Sequence, residues 1–150
     1  MRHFLALTLA FAASLYAQTA GNSAIVVSRQ QIEATLKQKL AGAPHEFGGG
    51  LFDGTGFRIG ALKRALPGEA EVHLKDTDIF YMLSGSATLV TGGEVVGEHA
   101  ISAIEERGTS IRNGVRHELA AGDVVVIPKQ QPHWFQNVSA GVSYIVIKVE

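Results

Sequence analysis

Two histidines, His73 and His133, are the side chains of this 150-residue chain best placed to do chemistry together, because each stands in a short segment that alternates polar and apolar residues. In Glu71-Val72-His73 a carboxylate and an imidazole share one side of a strand, since successive strand side chains point to opposite faces. Asp78, Phe80 and Met82 form a second such set, and His133, Phe135 and Asn137 a third. If the three sets face one interior, two imidazoles and two carboxylates converge. Hard oxygen with borderline nitrogen suits Mn, Fe, Ni or Zn. The expected metal ligands are therefore Glu71, His73, Asp78 and His133, with Glu71 the alternative acid/base. Phe80, Met82, Phe135 and Asn137 are the expected pocket walls. Without a metal the two carboxylates would repel, and at least one would tend to keep its proton.

Other polar residues receive plainer readings. His117, beside Glu118, reads as a partly exposed structural histidine, and His45 and His99 lie in polar, loop-like settings. Arg58 and Arg64 share a strand side with Leu62 and Leu66; one could grip a substrate carboxylate in bidentate fashion, but an edge-facing arginine is the commoner outcome. Tyr144 could wall the pocket, whereas Trp134 alternates away from His133 towards an outer contact. Cysteine is absent, which excludes disulfides, thiolate ligands and a thiol nucleophile. No Gly-x-Ser-x-Gly elbow, phosphate loop or His-Glu-x-x-His pattern occurs. The 13 basic residues against 14 acidic ones leave no cationic footprint for nucleic acid.

The elements that must position these groups follow from the rest of the chain. Residues 1–17 read as an export signal: Arg2 supplies the positive start, Phe4 to Leu15 the apolar run, and Ala17 a small residue before cleavage. That run is shorter than the roughly 20 residues a membrane span needs, so no stable span is expected once it is removed. The expected localisation is periplasmic or secreted. Residues 18–46 read as a linker and one amphipathic helix, opened by the capping box Ser28 to Gln31, with Ile32, Leu36 and Leu40 on one stripe and an end near Gly42. From 47 to 150 short Val-, Ile-, Phe- and Thr-rich runs between glycines predict an all-β barrel or sandwich. Asn113-Gly114 predicts a two-residue hairpin turn, Gly92-Gly93 a second of the same kind, and Ala121-Gly122-Asp123 another turn. The Gly48 to Gly50 stretch fits either a flexible loop or a close approach of two backbones.

The motif pair resembles the cupin superfamily. That family's first motif reads Gly-x5-His-x-His-x3,4-Glu-x6-Gly; here Glu71 takes the first histidine position, His73 the second, Asp78 the glutamate and Gly85 the glycine. The second reads Gly-x5-Pro-x-Gly-x2-His-x3-Asn, matched by Gly122, Pro128, His133 and Asn137, with Gln130 at the internal glycine. The resemblance implies a single jelly-roll barrel, a double-stranded β-helix, following the N-terminal helix. It further implies a divalent metal, a small organic ligand at the barrel mouth, oxygenase, isomerase or lyase chemistry, and a homodimer. Two other readings stand beside it. A metal-free small-molecule or sugar-binding module would use His73 and His133 as hydrogen-bond donors, and an interaction protein would use the N-terminal helix.

Overall fold

The computed structural model describes residues 24–40, 46–139 and 141–150. The expected signal at 1–17, the expected helix end at Gly42 and His45 lie outside the described residues. The described residues form one helix, α1 (Arg29–Thr35), and thirteen strands. These are β1 (Glu46–Gly54), β2 (Phe57–Arg64), β3 (Ala70–His73), β4 (Thr77–Ser84), β5 (Ser86–Thr91), β6 (Glu94–Val96), β7 (His99–Ala100), β8 (Glu105–Gly108), β9 (Ser110–Arg112), β10 (Val115–Ala120), β11 (Val124–Ile127), β12 (His133–Val138) and β13 (Val142–Val149).

The strands form a five-stranded sheet in the order β1-β2-β13-β4-β11, a six-stranded sheet in the order β10-β5-β12-β3-β8-β7, and the small pair β6-β9. The inner faces are apolar at one end: Leu62, Phe80, Met82, Leu89, Phe135, Tyr144 and Val146 belong to one buried cluster. Alternation built this core. On β4, Asp78, Phe80 and Met82 are buried while Tyr81 is exposed; on β13, Val142, Tyr144 and Val146 point in. The all-β jelly-roll expectation holds.

Several local expectations are corrected. The helix keeps its capping box, with Ser28 Oγ accepting from Gln31 N–H at 3.2 Å and Gln31 Oε1 from Ser28 N–H at 2.8 Å. It stops at Thr35 because the next backbone groups are used in strand pairing: Gly48 N–H donates to Gln38 C=O and Leu40 N–H to Glu46 C=O. The Gly48 to Gly50 stretch is part of β1, and it is a close approach. A Cβ on Gly48, at φ +131°, would lie 2.0 Å from Ala61 O. Asn113-Gly114 is no hairpin, since β9 pairs with β6 and β10 with β5. Only Asn113 of the two has positive φ, and Gly114 is needed instead for its packing on Val90.

Gln130, standing where the second cupin motif has glycine, adopts φ +67°. Its N–H donates to His73 C=O at 2.7 Å, which ties the turn before β12 to the end of β3. The left-handed conformation penalises a Cβ, while glycine costs more chain entropy on folding. Gln130→Gly is therefore expected to stabilise the fold by about 0.5 to 1 kcal/mol. Urea unfolding checks this, and an unchanged or lower midpoint contradicts it.

Candidate metal centre

Strand β3 delivers Glu71 and His73, β4 delivers Asp78, and β12 delivers His133 into the same end of the barrel. Register makes this convergence direct, for His133 lies opposite Glu71 across the β12–β3 pair. The imidazole rings stand 5.3 Å apart. Glu71 Oε2 lies 3.4 Å from His73 Nε2 and 3.9 Å from His133 Nε2. Asp78 Oδ2 lies at the same two distances, 3.4 and 3.9 Å. The facing ligand atoms of Glu71, His73 and His133 all fall within 4.8 Å of one another.

These groups line a cavity of about 90 Å³, open at its mouth. Phe80, Phe135 and Tyr144 form its aromatic wall, with Phe80 stacked on Phe135 at 5.6 Å between ring centres. Two expected wall residues are elsewhere. Met82 is wholly buried in the core and does not line the cavity, being one alternation deeper than Phe80. Asn137 is exposed, because a register shift between Phe135 and Asn137 breaks the alternation of β12.

Sequence reasoning missed much of the polar lining. Arg64, expected at an edge, is buried at 7% exposure and reaches three partners. Its Nε donates to Tyr144 Oη at 2.9 Å, Nη1 to Glu46 at 2.8 Å and Nη2 to Glu71 Oε1 at 3.3 Å. Arg107 pairs with Glu105 and, at 3.4 Å, with Glu71 Oε1. Lys148 donates to both oxygens of Asp78, at 2.7 and 2.8 Å. The signal for Lys148 was present, since it continues the inward parity of Val142, Tyr144 and Val146. Nothing in the polar run Glu105-Glu106-Arg107 marked β8 as a strand. His117 is exposed and bonds Thr91, and Trp134 donates outward to Gly68 C=O.

Electrostatics separate the groups. Burial pushes His133 down to about 4, against the pull of Glu71 and Asp78. Its Nδ1 lies 3.4 Å from Gln131 C=O, so a proton there leaves the Nε2 lone pair for the site. Burial alone would raise Glu71; Arg107 first, then His73 and Arg64, outweigh it and hold the carboxyl well below its ordinary value. Burial raises Tyr144 to about 12 despite Arg64, so the phenol keeps its proton at neutral pH. His73 Nε2 is buried and has no hydrogen-bond partner. A buried polar atom left unsatisfied costs about 1–3 kcal/mol, so one facing a carboxylate and a second imidazole nitrogen suits a bound cation. Around the cavity, Glu46, Glu69, Glu71, Asp78 and Glu105 stand against Arg64, Arg107 and Lys148, an excess of two negative charges. A divalent ion balances that excess.

Fold and site together define a small β-barrel with an imidazole–carboxylate cluster in its mouth. The chain belongs to the cupin family, whose sequence profile matches residues 65–150. Its fold is similar to that of KdgF from a Halomonas species, at 13% identity and TM-score 0.54 over 73% of this chain and 84% of that one. A protein from Neisseria meningitidis is similar at 13% identity and TM-score 0.53, over 79% of this chain and 96% of the other. So is a predicted oxalate decarboxylase from Thermotoga maritima, at 14% identity and TM-score 0.50, over 69% and 79%. No curated protein matches the chain in sequence.

The depressed His133 sets a pH dependence for the metal-free protein. Its folded value, about 4, lies below its ordinary 6.5, so the unfolded chain takes up the proton first as pH falls. Stability from this group is whole above pH 6.5 and is lost progressively down to about pH 4. That gap is worth about 3 kcal/mol. Denaturation midpoints measured across this window should fall steeply for the wild type and less for His133→Asn; parallel curves would contradict the assignment.

Proposed function

We propose that this cupin binds a divalent metal through Glu71, His73 and His133 and takes a small, neutral, oxygen-rich molecule beside it. The observation that carries the reading is the unpartnered Nε2 of His73, buried and facing Glu71 Oε2 and His133 Nε2. When bound, the ion would supply Lewis acidity to an oxygen of the ligand. The protein supplies the rest of the site. Tyr144 accepts from Arg64 and keeps its own proton to donate into the cavity, while Phe80 and Phe135 give an apolar face for a carbon skeleton.

The ligand class follows from charge. Arg64, Arg107 and Lys148 are each already engaged by carboxylates of the same cavity. With the divalent ion in place the lining is neutral, so no bare cation waits for an anionic substrate. A polyol or hydroxycarbonyl compound fits this polar and aromatic lining. On the character of residues 1–17 we assign the protein to the periplasm or the exterior. The mature chain is expected to begin at Gln18, as N-terminal sequencing of exported protein would read; a retained Met1 contradicts it.

Metal analysis tests the central reading. Protein stripped with chelator and offered Mn, Fe, Ni and Zn separately is expected to take up one equivalent of at least one of them. His133→Ala and Glu71→Gln should weaken that uptake by at least ~100-fold, since even outer partners of metal sites are worth 10–100-fold. His117→Ala should not change it. A wild type that refuses all four ions overturns the proposal and leaves the cavity to metal-free binding.

A further inference from the structure

We propose that Lys148 is a positioning residue that withholds Asp78 from the metal, so that the centre has three protein ligands, Glu71, His73 and His133, and not four. This rests on the metal-binding reading above.

Distance to the histidines does not distinguish the two carboxylates, because Glu71 Oε2 and Asp78 Oδ2 each lie 3.4 Å from His73 Nε2 and 3.9 Å from His133 Nε2. Their cations do. Both arginines that hold Glu71 approach Oε1, Arg64 at 3.3 Å and Arg107 at 3.4 Å. The oxygen that faces the imidazoles is left free. On Asp78 the ammonium of Lys148 straddles both oxygens, 2.7 Å from Oδ1 and 2.8 Å from Oδ2. The oxygen facing the imidazoles is therefore already occupied by a positive charge, and a divalent ion on the same atom would meet that charge at close range.

The arrangement is built in by register. Lys148 lies directly opposite Asp78 in the β13–β4 ladder, and both side chains are largely buried, at 13% and 3% exposure. A lysine in that position has a short path to one acceptor pair and little solvent to turn to. The result is a two-histidine, one-carboxylate set, which leaves more positions of the ion open to solvent and ligand than a four-ligand set does. Asp78 then stands beside the ion as a fixed negative charge.

Cobalt(II) is the probe, read by its visible absorption spectrum and by its affinity in chelator competition. Asp78→Asn is expected to leave the wild-type spectrum unchanged and to weaken affinity by no more than the ~10–100-fold that outer partners of metal sites are worth. Lys148→Met should release Asp78 to ligate, raising affinity by ~10-fold or more and altering the spectrum. The double variant should return to the wild-type spectrum, and Lys148→Arg should keep it. The proposal is overturned if Asp78→Asn alone changes the spectrum and weakens binding as much as Glu71→Gln, or if Lys148→Met binds cobalt with the wild-type spectrum. Should Lys148→Met fail to fold without metal, the Asp78→Asn spectrum decides by itself. If neither the wild type nor Lys148→Met takes cobalt, the metal reading falls and this inference with it.

Discussion

The structure depends on a register that sets three carboxylates of the cavity opposite cations on neighbouring strands. Glu46 faces Arg64, Glu71 faces Arg107 and Asp78 faces Lys148. A charge carried into a low-dielectric interior is costly unless its partner arrives with it, and breaking such a pair costs about 3–5 kcal/mol. A slip of one residue in any of these ladders would send one partner outward and strand the other. The same ladders carry the apolar alternation, so hydrophobic burial and charge pairing select one register together. Strand pairing here is thus more tightly specified than by apolar pattern alone.

The barrel and its two histidines were readable because they obey period-two alternation bounded by turn glycines. What escaped were features set by partners distant in sequence. Arg64 looks like an edge residue until Glu46, Tyr144 and Glu71 are brought round it. Strand β1 has glycines where alternation would show, and β7 and β8 are short and polar, so neither announced itself. Asn137 followed the parity rule on paper, and only the bulge after Phe135 turned it out to solvent. The misread Asn113-Gly114 has the composition of a hairpin turn but joins strands that pair elsewhere. Local chemistry could not report which ladders its flanking strands would enter.

The departures from the first cupin motif acquire a common physical setting. With Glu71 in place of an imidazole the site carries an extra formal negative charge, and the arginines of β2 and β8 compensate it through the oxygen turned away from the histidines. Asp78, one methylene shorter than the motif's glutamate, is met by Lys148. The pocket is an ion-pair lattice around two imidazoles. Its charge is shared among six strands of both sheets.

The position of β13 has a consequence for how such a barrel comes into being. It lies between β2 and β4, bonded to both, yet follows every other described strand. Until residues 142–149 are synthesised, the five-stranded sheet exists only as two unconnected flanks, and Tyr144 and Lys148 are missing from the interior. Folding must then close long-range contacts late and nearly at once, which is slow for a nascent chain. In a polypeptide emerging in that order the five-stranded sheet stays open, while every strand of the six-stranded sheet is already made.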